Sequence, residues 1–342
     1  MLNTSLFRRP KRSRVCTVVV DGNEIRFAIE RDPGDPISQA LADGNFPRDA
    51  VSNLWRHLIT PGQTVVDVGA HVGLYSLPAA VGEATVVAIE GSARNAELLR
   101  YARTINKVVS NLHVHHAVAS EEGGTIDFWA HGPYGHVRAP GDGSTEGVRE
   151  TPAVLLDDLL RALASPALVK IDVEGSELRV LAGLTNLLSR EQAPPLLVEA
   201  NGHMLHEFHY KPSDVVGFLE NRGYKCHWID PNMDEQRLVP VSAEDLQPEC
   251  VSDYIAFKRR PDNLAPWSID EPFSRAEVVE RLVKTCNSGT GPEHWYGARL
   301  LDAARSGNGP AWLLENARIA QLIRAYTKDS FTSSADDSVK LT

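Results

Sequence analysis

Between Thr64 and Arg260 the chain alternates short apolar runs with longer stretches of helical spacing, and that alternation limits the folds open to it. TVVDVGA, ATVVAIE, NLHVHHAVA, ALVKIDV and PLLVEA read as strands. HVGLYSLPAAV opens a helix, and SARNAELLRYARTIN, TPAVLLDDLLRALA, SELRVLAGLTNLLSR and PSDVVGFLENRG read as helices. Apolar strands separated by amphipathic helices make a mainly parallel sheet covered on both faces. YKCHWID and SDYIAFKRR have no helix between them and predict an antiparallel edge. The fold class is α/β.

The flanks differ in texture. CTVVV, Asp21-Gly22 and NEIRFAIE predict a hairpin, and FPRDAVSNLWRHLIT predicts a helix that ends at Pro61-Gly62. Beyond Arg260, SRAEVVERLVKTCN, HWYGARLLDAARSG and AWLLENARIAQLIRAYTK predict helices through which the chain could oligomerise, with Trp267, Trp295 and Trp312 as core residues. The terminal DSFTSSADDSVKLT is polar enough to stay disordered. The expected parts are an N-terminal hairpin and helix over 1–60, a ligand-binding domain over 61–260 and a helical extension with its tail over 261–342.

Composition narrows the class of function. With 42% hydrophobic residues in 342, the chain can bury a sizeable core. No apolar run approaches the roughly 18 residues of a membrane span. The opening MLNTSLFRRPKRSRV lacks the apolar centre of a signal peptide. Cys16, Cys226, Cys250 and Cys286 lie far apart without a CxxC, as reduced thiols do, so a cytoplasmic location is expected. A net charge of −10 argues against a nucleic-acid partner. The basic cluster Arg8, Arg9, Lys11, Arg12 and Arg14 reads as a solvated terminus.

The first chemical motif is TVVDVGAHVG. Gly69 allows a tight strand-to-helix turn, and Gly73 allows close helix–strand packing. Glu90 ends the next strand about twenty residues on, the distance at which a carboxylate can take ribose hydroxyls. A dinucleotide site wants a second glycine facing the pyrophosphate, but Ala70 and His71 follow Gly69. Asp67 would repel a pyrophosphate and attract an amino group or sulfonium. The site therefore reads as one for S-adenosylmethionine and not NAD.

KIDVEGSE, residues 170–177, places four charged side chains at the end of an apparently buried strand. Ligands of open α/β sheets bind outside the carboxyl ends of the strands. Asp172 is then expected to share a crevice with Asp67, where two carboxylates would repel each other in the empty site. Glu177 reads as a helix-start charge, Glu174 is left undecided, and Lys170 is a partner for one of the carboxylates.

At these residues the chain resembles the FkbM-type, S-adenosylmethionine-dependent methyltransferases. The resemblance covers Thr64 to Lys258 and rests on VVDVGAHVGLYS, AIEGSARNAELLRYARTIN with HHAVASEEGG, LDDLL, and VKIDVEGSELRVLAG with LLVEAN. Two departures stand out: Ile89-Glu90-Gly91 replaces the family's Phe-Glu-Pro, and His71 replaces its usual Asn. The resemblance implies the class I methyltransferase sheet, Rossmann-like, with an antiparallel last strand. It places Asp67 and the run Gly69, Ala70 and Gly73 at the methionine part and Glu90 at the ribose. Ala117 and Val118 would lie near the adenine, with Ser120 as a polar contact. Asp172 would sit by the methionyl amine or the acceptor. The implied activity is O-methyl transfer to a hydroxyl of a glycan, glycolipid or small natural product. A nucleic-acid methyltransferase and a non-catalytic cofactor-binding subunit are the alternatives.

A hydroxyl is a weak nucleophile, so a base or metal is expected. VEANGHMLHEFH offers Glu199, His203, His206 and His209, with His203 as candidate base. Three-residue steps fan the histidines around a helix, against a zinc site. A divalent ion held by Asp172 and Glu199 is the less favoured alternative. The Gly/Pro-rich stretch 131–147 is read as a loop, with Tyr134, His136 and Arg138 available to a sugar.

Overall fold

The structure is a computed structural model that describes residues 9–130, 135–139, 147–161, 165–231, 233, 236–246 and 251–269, all within the unit Met1–Glu271. The helices expected beyond residue 270, with Trp295 and Trp312, lie outside the described residues, as do Tyr134, Cys250 and Cys286.

The predicted hairpin is β1 (Ser13–Val20) paired with β2 (Asn23–Glu30). Asp21 and Gly22 both have positive φ, 49° and 81°, as the tight two-residue turn requires. Two helices follow. α1 (Pro36–Ala42) has Asp35 as its N-cap, and α2 (Ala50–Leu58) starts in an Asp49–Ser52 capping box and buries Trp55.

Five parallel strands form one side of a nine-stranded sheet, out to its edge at β5: β3 (Thr64–Val68), β4 (Thr85–Glu90), β5 (Leu112–His116), β10 (Leu168–Ile171) and β11 (Leu196–Asn201). α3 (Ser76–Val81) and α4 (Ala93–Ile105) connect the first three. Between β5 and β10 the chain builds a second, four-stranded sheet from β6 (Val118–Ala119), β7 (Gly124–Trp129), β8 (His136–Val137) and β9 (Val148–Val154). This corrects the sequence reading, in which residues from Thr151 on were helical. Thr151 and Ala153 alternate as buried residues along β9, and among the described residues of that stretch α5 (Leu156–Leu159) is the helical part. The supposed loop is also partly strand, since β8 pairs with β7 and Arg138 reaches Asp127 at 3.2 Å.

The helix expected after β10 is interrupted, giving α6 (Glu177–Ala182) and α7 (Thr185–Leu188). Gly183 sits at the break, where a Cβ would lie 2.2 Å from the carbonyl oxygen of Ser120. After β11 come α8 (Gly202–Glu207), α9 (Pro212–Glu220), β12 (Lys225–Ile229), β13 (Arg237–Val241), β14 (Val251–Phe257) and β15 (Ser268–Ile269). The antiparallel pairing expected at the end of the domain is present and extends further. β14 inserts between β11 and β12 and runs antiparallel to both, while β13 and β15 continue the sheet outward.

The sheet order β15-β13-β12-β14-β11-β10-β3-β4-β5 reverses direction of progress between β3 and β10. That is the switch point outside which an open α/β sheet leaves room for a ligand. Each face of the sheet carries its own core: Val65, Leu168, Leu197 and Ile255 point into one, and Val66, Val169, Val198 and Ala256 into the other. Trp267 is buried in the first.

Candidate functional site

β3 passes into its turn with two glycines in the left-handed region, Gly69 at φ 85° and Gly73 at 96°, and His71 between them at 49°. A Cβ on Gly69 would lie 1.8 Å from the carbonyl oxygen of Asp172, so the ends of β3 and β10 touch backbone to backbone. Gly73 packs under α4, where a Cβ would meet Leu99 at 2.5 Å. Glu90 ties this turn to the start of α4. Its Oε2 accepts the backbone N–H of His71 and its Oε1 that of Ser92, both at 2.7 Å. Burial pushes the Glu90 carboxyl up to about 7, against the pull of those two hydrogen bonds.

Side chains alternate along a strand, so residues two apart share a face. Asp67 lies two beyond Val65, Lys170 two beyond Leu168, Glu199 two beyond Leu197, and Asp253 two before Ile255. Four adjacent strands therefore place ionisable groups on one face, with Lys170 paired in register to Asp67 and Glu199 to Asp253. Lys170 is 3% exposed, and its Nζ lies 2.7 Å from Asp172 Oδ2. Burial would raise the Asp172 carboxyl, but Lys170 holds it below its ordinary value. Asp67 is fully buried and accepts a 2.6 Å bond from Ser76 Oγ, with burial raising its carboxyl. The expected repulsion between Asp67 and Asp172 is thus relieved by the cation between them.

Glu174, in the left-handed region at φ 54°, and Asp253 are both pushed up to about 7, by burial first and then by neighbouring carboxylates. Glu199 is raised well above its usual range for the same reasons. Glu177 is the buried clasp of its turn, its Oε1 accepting the N–H of Gly175 at 3.0 Å and of Val173 at 3.3 Å. Carboxylate oxygens of Asp172, Glu174 and Glu199 lie within 4.8 Å of one another, a donor set of the kind a divalent cation takes.

Outside the strand ends lies a cleft of about 890 Å³, its open mouth included. Of the residues singled out in the sequence, Gly69, Glu90, Ala117, Val118 and Asp172 line it. Asp67, Ala70, Gly73, Ser120, Glu199 and His203 are not in its wall. Ser120 Oγ instead donates to Glu121, which pairs with Arg179. His203 opens α8, its N–H donated to Asn201 Oδ1.

The wall also contains residues that sequence reasoning missed: Asp35, Pro36 and Ile37 at the start of α1, and Phe128 and Val137 of the small sheet. Asp35-Pro36 is a legible helix start, but nothing local says that it faces this cleft. Phe128 also accounts for one departure from the family pattern. A Cβ at Gly91 would meet its ring at 2.5 Å, so glycine there leaves room for the aromatic wall.

Residues 67–226 match the family model of the methyltransferase FkbM domain. The chain carries an FkbM methyltransferase domain. The sheet that carries this domain is Rossmann-like, of the class I methyltransferase type. No curated protein matches the chain. Among solved structures it is similar to the FkbM methyltransferase of Methylobacillus flagellatus KT, at 18% identity over 66% of this chain and a TM-score of 0.37. The match spans 56% of that protein's length. It is also similar to the T. thermophilus 16S rRNA N2 G1207 methyltransferase bound to AdoMet and guanosine, at 16% identity over 73% of this chain and 52% of that one, TM-score 0.38. A third similarity is to P. horikoshii TYW2 in complex with MeSAdo, at 13% identity over 73% of each chain, TM-score 0.36. Among the described residues of this FkbM domain protein, no helix is long and apolar enough to cross a membrane.

Proposed function

We propose that the protein transfers a methyl group from S-adenosylmethionine to a hydroxyl of a glycan, glycolipid or small natural product, in the cleft outside β3 and β10. The observation that carries this reading is the charge of the cleft wall. Asp35, Glu90, Asp172 and Glu174 line it, and no Lys or Arg does so among the described residues. Such a wall offers carboxyl oxygens to a sulfonium and an ammonium and no lining cation to a phosphodiester chain. It favours a small acceptor over a nucleic acid.

The residues present fit the cofactor. Ile89, Ala117, Val118 and Val137 give an apolar surface for a base, and Glu90 stands at the end of β4 with its carboxylate fixed by two backbone bonds. His71 adds a buried Nδ1 without a hydrogen-bond partner at the same wall, a ready site for a polar group of the ligand. Gly69 keeps the turn clear of side chain beside Asp172. In this assignment Gly69 lies at the methionyl part, Glu90 at the ribose, and Ala117 and Val118 at the adenine. Asp67, Ala70 and Gly73 shape the turn from behind, and Ser120 braces the loop below.

When bound, S-adenosylmethionine supplies a methyl carbon on a sulfonium, which leaves as a neutral thioether. The protein's part is to position the acceptor and take its proton. Asp172 is the group assigned to that proton, because it is the carboxylate of the wall that Lys170 keeps ionised. Glu199 stands behind it as a proton-holding neighbour. His203 is the alternative base. A transfer assay with methyl-labelled cofactor, run in parallel on sugars, glycolipids, aglycones and RNA, tests the reading. Label in RNA and in none of the small acceptors would overturn it.

A further inference from the structure

A base buried among other acids works only if something keeps it charged and still. The groups facing Asp172 come from every neighbouring element: Asp67 from β3, His71 from the glycine turn, Tyr75 from the start of α3, Glu199 from β11 and Asp253 from β14. Glu174 and Glu177 face it from its own turn. Lys170 is the lysine in this company. It is 3% exposed, with its Nζ 2.7 Å from Asp172 Oδ2 and 4.3 Å from the centroid of the Tyr75 ring. The ring seats the ammonium by a cation–π attraction that strengthens when water is excluded. Trp55 in turn holds Tyr75, meeting its ring edge-on at 6.0 Å and donating Nε1–H to its carbonyl oxygen at 3.2 Å.

We propose that Lys170, seated on Tyr75, is a positioning residue that clamps Asp172 by its Oδ2 and holds the carboxylate still to receive the acceptor's proton. The inference rests on the base assignment made above for Asp172. It also explains why a strand buried on both faces carries a lysine two residues before that aspartate. Lys170 is itself held charged, burial opposing and Asp172 then Asp67 favouring the ammonium.

The test needs no knowledge of the acceptor. Full-length protein labelled with 13C at the aspartate carboxyl is titrated with S-adenosylhomocysteine present, and the Asp172 resonance is assigned by its absence in Asp172→Asn. Lys170→Met keeps the apolar stem and removes the charge, and the Asp172 midpoint should rise by about 2 pH units. Lys170→Arg, which restores the charge, should bring the midpoint back to within about 1 unit of wild type. If Lys170→Met does not fold, Tyr75→Leu keeps both charges and removes the seat, and the midpoint should rise by about half a unit. An unmoved Asp172 midpoint in Lys170→Met, or in Tyr75→Leu where the first variant fails to fold, overturns the proposal. The base assignment fails separately, if Asp172→Asn still transfers methyl groups at the wild-type rate.

Discussion

Gly69→Ala is the substitution whose cost can be worked most directly from the geometry. Two effects add at that position. The first is conformational, because an L side chain at φ 85° costs about 1–2 kcal/mol. The second is contact: the new Cβ would stand 1.8 Å from Asp172 O, and the strand ends would have to part by about 1.6 Å to reach ordinary contact near 3.4 Å. That separation strains the bonds nearest the turn, Asp172 N–H to Val68 O at 3.1 Å and Gly69 N–H to Ile89 O at 2.9 Å, each worth about 1 kcal/mol. The total is about 3–4 kcal/mol, or a fall of roughly 6–16 °C in melting temperature for a domain this size. Gly22→Ala provides the control. Gly22 has φ 81° with nothing within 4 Å of its added Cβ, so it carries the conformational cost alone. Thermal melts of both variants, with and without S-adenosylhomocysteine, measure the difference. Equal losses in the two would refute the argument that β3 and β10 meet at Gly69, and with it the placement of Asp172 at the cleft.

Other outcomes follow from the same geometry. Glu90→Ala should weaken S-adenosylhomocysteine binding by about 1–3 kcal/mol in calorimetry. It should also lower the melting temperature, because two backbone N–H groups lose their acceptor. Asp172→Asn should cut methyl transfer by about 10²-fold or more and His203→Ala by far less, as turnover with any acceptor found in the screen will show. Asp172→Asn should also destabilise the protein, since Lys170 is left buried without its partner. Between pH 6.5 and 8, melting temperature should fall as pH rises. Glu90, Glu174, Glu177 and Asp253 hold protons to about pH 7 that the unfolded chain has already released. The buried His71, His115 and His227 act with the opposite sign, but mainly below 6.5. A melting temperature that climbs across that window would contradict the burial of these acids.

How much of this was legible beforehand depends on distance along the chain. The glycine turn, Glu90 twenty residues on and the KIDVEGSE junction are short-range patterns, and from the sequence itself they put Gly69, Glu90 and Asp172 at one crevice, whose wall all three line. The alternation of strand and helix was equally readable until the pattern changed period at residues 124–154. There a polar, partly solvated strand such as VRETPAV looks like the lead-in to the helix that follows it, and only its pairing with β7 and β6 makes it a strand. Tertiary structure also decided which residues meet. Asp35, Pro36 and Ile37 face the cleft because the hairpin and α1 fold over it, with Arg94 anchoring Glu30 at 2.6 Å. Asp67, though two residues from Gly69, was turned into the sheet by the strand's period of two. The same period, combined with the register of four strands, set Lys170 between Asp67 and Asp172 and brought Asp253 beside Glu199. A sequence carries the period of each strand, whereas register is settled by packing across the whole sheet, so the charge balance of this site exists only in the folded protein.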